Sequence, residues 1–401
     1  MKTIALYDNC RDGHHFTYLR LFSQTLLEMG YRVVVFCQTP DEITEWIILQ
    51  CPKQAENLYT FKVEETGVKL PIIGKLPRTI NVLAEWHDAA TSISKASLEI
   101  GFSPDLVFFA WLDNYLSDYL THHIIDSIFP YPWSGLYFHP YYLRSGYKTL
   151  PILRFPLSPY TITQSSRCRS LALFDEMETS ELKYKLDKPI IVFPDVTDES
   201  SPDLSCVIAK QIREKAGDRK IVGLLGGLTR RKGLLTLLEV AQQAVLEDWF
   251  FVFVGQLYDH ELLPEELTKI WSFVRSEPEH CFFYFDRIAD EAQFNSVITE
   301  CDVLFAAYEN FPYSSNILTK AAVFEKLVIV SDGFCMSERV KRFQIGVSIP
   351  ENSVLDCIAA LQTLFTYLTS TSQMLKPNFE IYRNLHSIEQ LRNALKEVCA
   401  T

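Results

Sequence analysis

Three adjacent cations, Arg230, Arg231 and Lys232, follow an apolar stretch at 221–225 and a pair of glycines, and Gly233 and a leucine-rich run come directly after them. This order predicts a strand, a tight turn and a helix. The first N–H groups of a helix have no partner within it, and the helix dipole favours negative charge there. Backbone N–H groups and cationic side chains would therefore meet at one point, as in known phosphate sites. The stretch predicts a binding site for a nucleoside diphosphate.

The composition limits the classes of protein and of partner. At 401 residues, with 48% hydrophobic residues, the chain is long enough for two domains with a core each. Its formal net charge of -12 argues against nucleic acid or an anionic membrane as the main partner, since both require a broad basic surface. Three cations in a row are therefore unusual for this chain.

The ten cysteines are scattered, without a C-x-x-C pair or a Cys/His cluster at zinc spacing. We expect reduced and mostly buried thiols. The first residues form too short an apolar run for a signal peptide, and no stretch approaches about 18 apolar residues. The sequence therefore predicts a cytoplasmic protein without a transmembrane segment.

Strands alternate with helices along the chain, which is the pattern of parallel sheets covered on both faces. The first unit of the pattern is a strand at 3–7, a helix with an apolar face from Phe16 to Met29, a helix-ending Gly30, and a strand at 33–36. Two further strands are predicted at 105–110 and 135–139. Ligands of such sheets bind beyond the carboxyl ends of the strands, which makes candidates of four residues by position: Trp111, Asp113, His139 and Arg144.

A second series of strands is predicted at 221–225, 250–254, 281–285, 303–307 and 327–331. Turn-forming residues within 188–202 separate the two series. We therefore predict an N-terminal Rossmann-like domain at 1–195, which would bind the acceptor, and a C-terminal Rossmann-like domain at 196–375, which would bind a nucleotide-sugar. A helix at 376–401, with apolar residues at helical spacing, is predicted to cross back toward the N-terminal domain.

The stretches GGLTRRKG and YENFPYSSNILTKAAVFEKLVIVSDG resemble motifs of the large retaining, nucleotide-sugar-dependent family of GT-B glycosyltransferases that includes sucrose synthases and mannosyltransferases. The resemblance covers the second domain well and the first only in layout. It implies an α/β fold with two Rossmann-like domains facing a cleft, and hexosyl transfer from a nucleotide-sugar with retention of configuration.

The phosphate turn departs from the family pattern at one position. Lys232 and Gly233 are retained, whereas Gly227 stands where the family has an arginine, five residues before the lysine. Arg230 or Arg231 would then supply the missing charge.

The carboxylate motif matches in its first half only. Glu309 matches the first of two family glutamates, and Asn310 and Phe311 follow where the family often has Gly-Phe. Lys320 stands in place of the second glutamate and lies eleven positions after Glu309, rather than the family's eight. The resemblance assigns that glutamate to the ribose, so nucleotide recognition is expected to differ here.

Sugar transfer develops negative charge on the leaving diphosphate, and preorganised cations and N–H donors are the main device for stabilising it. We assign this role to Arg231 and Lys232, with Arg230 as a third donor-binding cation. Ser314 and Ser315, at a predicted helix N-terminus, would add hydroxyl and N–H donors. No metal is then required, in agreement with the absence of an Asp-x-Asp motif, and no cofactor is expected beyond the nucleotide-sugar co-substrate.

Three further assignments follow from the resemblance. Glu309 would bind the hydroxyls of the donor sugar or stabilise the oxocarbenium-like transition state. His139 is similar to the family's cleft histidine, which contacts the donor sugar. The glycine-rich loop of the family's first domain corresponds to the loop after the first strand, where Gly13 would permit close approach and His14 or His15 would meet acceptor or donor.

Two alternatives remain open at this point. A nucleotide-sugar epimerase could use the same two domains, but the sequence offers no clear second acid/base carboxylate beside Glu309. A non-catalytic protein of the same fold, binding a ligand or partner, would explain the missing second glutamate. The sequence leaves the nucleotide base, the sugar and the acceptor open.

Overall fold

The computed structural model divides into two compact units. One comprises Met1–Val196 together with Ser387–Thr401, and the other comprises Thr197–His386. The residues that the structure describes are 1–10, 15–64, 76–117, 119–139, 159–176, 179, 182–183, 186–243, 246–370 and 375–401. Among the helices of these residues, none combines the length and apolar character that a membrane crossing requires.

The first unit is built on a seven-stranded parallel sheet with the strand order β3-β2-β1-β4-β5-β6-β7. Its strands are β1 (Thr3–Tyr7), β2 (Arg32–Cys37), β3 (Leu58–Lys62), β4 (Leu106–Phe109), β5 (Trp133–Tyr137), β6 (Cys168–Leu173) and β7 (Ile190–Val192). Helices α1 (His15–Glu28), α2 (Pro40–Gln50), α3 (Leu76–Ile100) and α4 (His122–Ile128) lie between them in the chain.

Both faces of this sheet are covered by apolar core. In β1, Ile4 and Leu6 belong to one buried cluster, whereas Ala5 and Tyr7 belong to the other. Because side chains alternate across a strand, a strand covered on both faces is apolar at every position. This is why β1, β2 and β4 can be read directly from the sequence.

The strand predicted at 135–139 is displaced by two residues. β5 runs from Trp133 to Tyr137, so His139 lies beyond its end. The carboxylate of Asp113 accepts hydrogen bonds from the N–H groups of Phe138, at 2.9 Å, and His139, at 2.8 Å. These two donors are therefore unavailable to the ladder, and the strand ends.

The second unit contains a six-stranded parallel sheet with the order β10-β9-β8-β11-β12-β13. Its strands are β8 (Lys220–Leu225), β9 (Trp249–Val254), β10 (Cys281–Tyr284), β11 (Val303–Ala306), β12 (Leu327–Ser331) and β13 (Gly346–Ile349). Its helices are α5 (Val207–Ala216), α6 (Leu234–Ala241), α7 (Pro264–Arg275), α8 (Glu291–Glu300), α9 (Asn316–Val323), α10 (Cys335–Phe343), α11 (Val354–Thr369) and α12 (Phe379–Leu385).

The single helix predicted at 376–401 is two helices. α12 ends at Leu385 in the second unit, and α13 (Ile388–Ala400) belongs to the first. Ser387 separates them, because its side chain accepts a hydrogen bond from the Gln390 N–H at 3.4 Å and starts a new helix. The apolar stripe of α13, which includes Leu391 and Leu395, is buried in the core of the first unit.

All ten cysteines are free thiols, and all except Cys10 are buried. Burial raises the pKa of the Cys301 thiol to about 12. Such a thiol stays protonated and unreactive at neutral pH. The predicted burial of most thiols is thus confirmed.

Candidate functional site

The cationic turn of the second unit lies between β8 and α6. Its first glycine, Gly226, has a φ of +94°, and its last, Gly233, has a φ of +74°. Between them, Arg230–Lys232 form one 3-10 turn, and the Thr229 Oγ1 accepts a hydrogen bond from the Lys232 N–H at 3.3 Å. A Cβ on Gly226 would lie 3.3 Å from the Lys232 Nζ, so the ammonium group folds back over this glycine. The sequence pattern therefore does form a strand, a turn and a helix.

Both the backbone conformation and the close packing around residue 233 require glycine there. A Cβ at this position would lie 2.7 Å from the Ala307 carbonyl oxygen, below the usual van der Waals limit. We expect Gly233→Ala to lower the free energy of unfolding by about 2–5 kcal/mol, combining the left-handed backbone cost with overpacking. Urea denaturation measures this loss. Gly30→Ala is the control, since Gly30 has a φ of +83° but meets no atom within 4 Å, and a similar loss in both variants would contradict the steric argument.

The three cations differ in their surroundings. Arg230 forms an ion pair with Glu266 at 3.2 Å and lies 3.9 Å from the Glu309 carboxylate. Arg231 and Lys232 make no ion pair with any described residue. The charge of Arg230 is thus compensated within the protein, whereas the charges of Arg231 and Lys232 are available to an anionic ligand.

Aromatic rings orient the guanidinium group of Arg231. It lies 4.7 Å from the centroid of the Phe311 ring and 5.8 Å from that of Tyr308. Tyr308 also lies 5.6 Å from the Lys232 Nζ. Cation–π attraction at such distances restrains a side chain without neutralising its charge. Arg231 itself is exposed, so a ligand can reach it.

Glu309 is joined to the cationic turn through the backbone. It follows β11, and its N–H donates a hydrogen bond to the Arg231 carbonyl oxygen at 2.7 Å. Its side chain is 20% exposed. The structure therefore brings together the two sequence motifs, which are separated by almost eighty residues in the chain, and the Glu309 carboxylate lies 3.9 Å from Arg230 of the cationic turn.

The residues after Glu309 form a tight corner. Asn310 has a φ of +44°, a left-handed conformation that glycine adopts without strain. This explains why glycine is common here in the proteins that the motif resembles. The Asn310 N–H donates to Glu351 Oε1 at 2.9 Å. Further along, the Ser314 hydroxyl accepts a hydrogen bond from Arg339 Nη1 at 2.7 Å, and Ser315 is the first flanking residue of α9.

The backbone of Gly227 does not have a positive φ, so its conformation does not require glycine. Close packing against Tyr258 favours glycine at this position instead. A Cβ there would lie 3.0 Å from the ring of Tyr258. An arginine at this position, as in the family pattern, would require Tyr258 to move. The glycine that stands here in place of the family's arginine is thus explained by the packing of Tyr258 against this turn.

Lys320 is directed into the second unit. Its side chain is 2% exposed, and its Nζ lies 2.7 Å from Asn295 Oδ1, 2.8 Å from Glu291 Oε2 and 3.1 Å from the Asp198 carbonyl oxygen. Two hydrogen bonds, to Asn295 and Asp198, and the ion pair with Glu291 thus hold the ammonium group within the unit. The geometry offers no support for the donor-binding role predicted for Lys320, and we assign it to joining α8, α9 and the start of the unit.

Removing this buried cation leaves its partners unpaired. We expect Lys320→Met to lower the free energy of unfolding by about 3–5 kcal/mol, because Glu291 would be left as an uncompensated, largely buried charge. Urea denaturation measures the loss. Adding Glu291→Gln should recover part of it. If Lys320→Met leaves stability unchanged but removes nucleotide binding, Lys320 is a ligand after all.

In the first unit, two histidines lie against Trp111. The His15 ring centroid is 4.0 Å from that of Trp111, and the His139 ring centroid is 5.2 Å from it. Each histidine also has a carboxylate beside its Nδ1: Asp8 at 2.7 Å from His15, and Asp113 at 3.3 Å from His139. The structure therefore brings the two predicted histidines to one aromatic side chain. Gly13, His14 and Arg144 lie outside the described residues.

Sequence reasoning missed three of these contributors. Asp8 directly follows β1, so the rule that singled out Trp111 and Asp113 could have found it. Glu266 and Glu351 lie on distant segments and carry no local signal. Asp8 also forms, with Cys10 and His15, a group whose ligand atoms lie within 4.8 Å of one another. Its carboxylate already accepts hydrogen bonds within the group, from the Cys10 N–H and at His15.

Solved structures similar to this chain cover nearly all of it. Sucrose-phosphate synthase from Thermosynechococcus elongatus is 15% identical, with 100% of this chain and 98% of that chain covered and a TM-score of 0.69. A glycosyltransferase from Rickettsia africae is 14% identical, with 99% and 97% covered and a TM-score of 0.66. Anabaena Alr3699/HepE, in complex with UDP and glucose, is 12% identical, with 100% of both chains covered and a TM-score of 0.65.

No family model matches the chain, and no curated protein does. At these identities the similarity establishes the fold. The chain has the two-domain α/β architecture of the GT-B fold, as the resemblance of its motifs implied.

Proposed function

We propose that the chain is a glycosyltransferase that moves a hexose from a nucleotide-sugar to an acceptor. The observation that carries the proposal is the hydrogen bond from the Glu309 N–H to the Arg231 carbonyl, at 2.7 Å. It joins the segment that carries the Glu309 carboxylate to the turn that carries Arg231 and Lys232, whose charges no described carboxylate compensates. A nucleotide-sugar presents a diphosphate and a sugar next to each other, and thus needs both kinds of group. Alr3699/HepE, which shares the fold, binds UDP and glucose.

In this proposal Arg231 and Lys232 bind the diphosphate and stabilise the charge that develops as the sugar leaves. Two positive charges suffice to neutralise most of that leaving group, so we propose that transfer needs no divalent ion. Glu309 binds the sugar hydroxyls or stabilises the positive charge at the anomeric carbon. Arg230, paired with Glu266 and near Glu309, orients that carboxylate.

The first unit provides the acceptor side, with His139 contacting the donor sugar and His15 meeting donor or acceptor. We propose a retaining outcome because the motifs that resemble a known family resemble a retaining one. We place the protein in the cytoplasm, where its ten free thiols would stay reduced.

Release of UDP from UDP-glucose, with and without a chelator, tests the proposal. Without an acceptor we expect slow release of UDP, because water can take the place of the acceptor. We expect the rate of release to be unchanged in EDTA. Proton NMR of the freed glucose identifies the first-formed anomer, which would be α for retention. If no nucleotide-sugar loses its sugar, with any base, the transferase proposal fails.

A ligand-binding protein without turnover is the second candidate. The observation that favours it is Lys320, which stands in the place of a family glutamate. Its ammonium group binds Asn295, Glu291 and the Asp198 carbonyl within the second unit. Binding of UDP-glucose without UDP release would support it. Conversion of the donor to its epimer, without release, would indicate an epimerase instead.

A further inference from the structure

We propose that Glu351 is a positioning residue for Glu309, an inference that rests on the proposed function. Glu351 lies two residues after β13, in a segment outside both sequence motifs. Its carboxylate accepts the hydrogen bond from the Asn310 N–H at 2.9 Å. It therefore acts on the residue next to Glu309.

Two consecutive N–H groups of the corner are held from two different sides. The Glu309 N–H is bound to the Arg231 carbonyl at 2.7 Å, and the Asn310 N–H is bound to Glu351. Because each peptide group is planar, fixing two successive N–H directions fixes the backbone between them. The Cα–Cβ direction of Glu309 is set by that backbone. Glu351 thus determines where the carboxylate of Glu309 can reach.

The corner needs the hydrogen bond to Glu351 because the residue at the corner, Asn310, is not a glycine. Asn310 adopts a φ of +44°, which costs a side chain free energy that glycine does not lose. Asparagine tolerates this conformation better than most residues but still prefers others. The hydrogen bond to Glu351 holds the peptide group that precedes Asn310, so the strained conformation cannot relax by rotating that group.

The two residues that follow Glu351 are hydrogen-bonded to neighbouring helices. The next residue, Asn352, accepts a hydrogen bond from the Thr236 hydroxyl of α6 at 3.4 Å. Ser353 then caps α11, accepting from the Asp356 N–H at 3.3 Å. The segment therefore bridges the helix that begins at the cationic turn and the loop that carries Glu309. It can keep the carboxylate and the cations in register.

Three variants test the proposal: Glu351→Ala, Glu351→Gln, and Glu351→Ala with Asn310→Gly. Glutamine keeps an oxygen acceptor, and glycine adopts the left-handed conformation unaided. The exposed Glu214→Ala, on α5, is the control for loss of one carboxylate. The measurements are UDP affinity by calorimetry, UDP release from UDP-glucose, and hydrogen–deuterium exchange of the peptide that contains Glu309 and Asn310.

For Glu351→Ala we expect UDP affinity within about twofold of the unmodified protein and UDP release about 10- to 100-fold slower, because a carboxylate displaced by about 1 Å loses that much. Exchange at Glu309 and Asn310 should be faster. Glu351→Gln should retain slow exchange and most of the rate, and the added Asn310→Gly should recover part of the loss. Glu214→Ala should change nothing.

Unchanged release and exchange in Glu351→Ala would overturn the proposal. So would a fall in UDP affinity that accounts for the whole loss of rate, because Glu351 would then act on nucleotide binding. If Glu351→Ala does not fold, Glu351→Gln decides, since fast exchange in that folded variant contradicts the role. If the unmodified protein releases no UDP, the proposed function fails, and exchange alone decides whether Glu351 holds the corner.

Discussion

Replacing Arg231 and Lys232 together by alanine should weaken UDP binding about 10²- to 10⁴-fold. Hydrogen bonds to charged groups contribute about 1.5–3 kcal/mol each, and each 1.4 kcal/mol is a factor of ten in affinity. Neither cation has a carboxylate partner among the described residues. Their loss therefore leaves no buried charge behind, and the fold should be retained. Calorimetric titration with UDP measures the effect.

A matched control separates this contact from general charge. Lys210→Ala with Arg275→Ala removes the same two charges from exposed positions on α5 and α7. We expect its UDP affinity to stay within about twofold of the unmodified protein, since exposed charges at a distance are screened. Equal losses in both double variants would mean that overall charge, and not the turn, attracts the nucleotide.

Glu309→Gln should lower UDP release from UDP-glucose about 10²- to 10³-fold while changing UDP affinity less than threefold. The substitution keeps the shape and the backbone bond to Arg231 but removes the negative charge. Loss of one preorganised electrostatic group from a transition state commonly costs about this factor. The steady-state rate of UDP release measures the loss of activity, and calorimetry measures the UDP affinity separately.

Glu266→Gln is the matched control for that variant. Both carboxylates flank Arg230, at 3.2 Å for Glu266 and 3.9 Å for Glu309. If the charge of Glu309 mattered only through Arg230, Glu266→Gln would slow release to a similar extent. We expect less than a threefold change. A comparable loss in both would assign the effect to Arg230.

The fold could be predicted from the sequence where burial is uniform. β1, β2, β8, β9 and β12 are apolar at nearly every position because both faces of each sheet are covered. β3 was missed, since its strand LYTFK is only partly buried. β6 was missed because Arg169 and Ser170 interrupt its apolar run. Periodicity carries no signal in such strands.

The site could be predicted only in part, and packing explains the difference. The turn at Arg231 and the glutamate at 309 each carry a local pattern, which is why both could be proposed from sequence. Lys320 sits on an amphipathic helix, and whether its ammonium faces a ligand or Asn295 depends on the neighbouring helix. Glu351 reaches Asn310 across forty-one positions. No local sequence pattern predicts a partner at that distance along the chain.

The central claim is that the second unit binds a nucleoside diphosphate through Arg231 and Lys232. Its most direct test is calorimetric titration of the unmodified protein with UDP, GDP and ADP, alongside the Arg231→Ala/Lys232→Ala variant. The account predicts selective binding of one nucleotide to the unmodified protein and its loss in the variant. Binding of none of them, or binding that the variant retains at full strength, would contradict it.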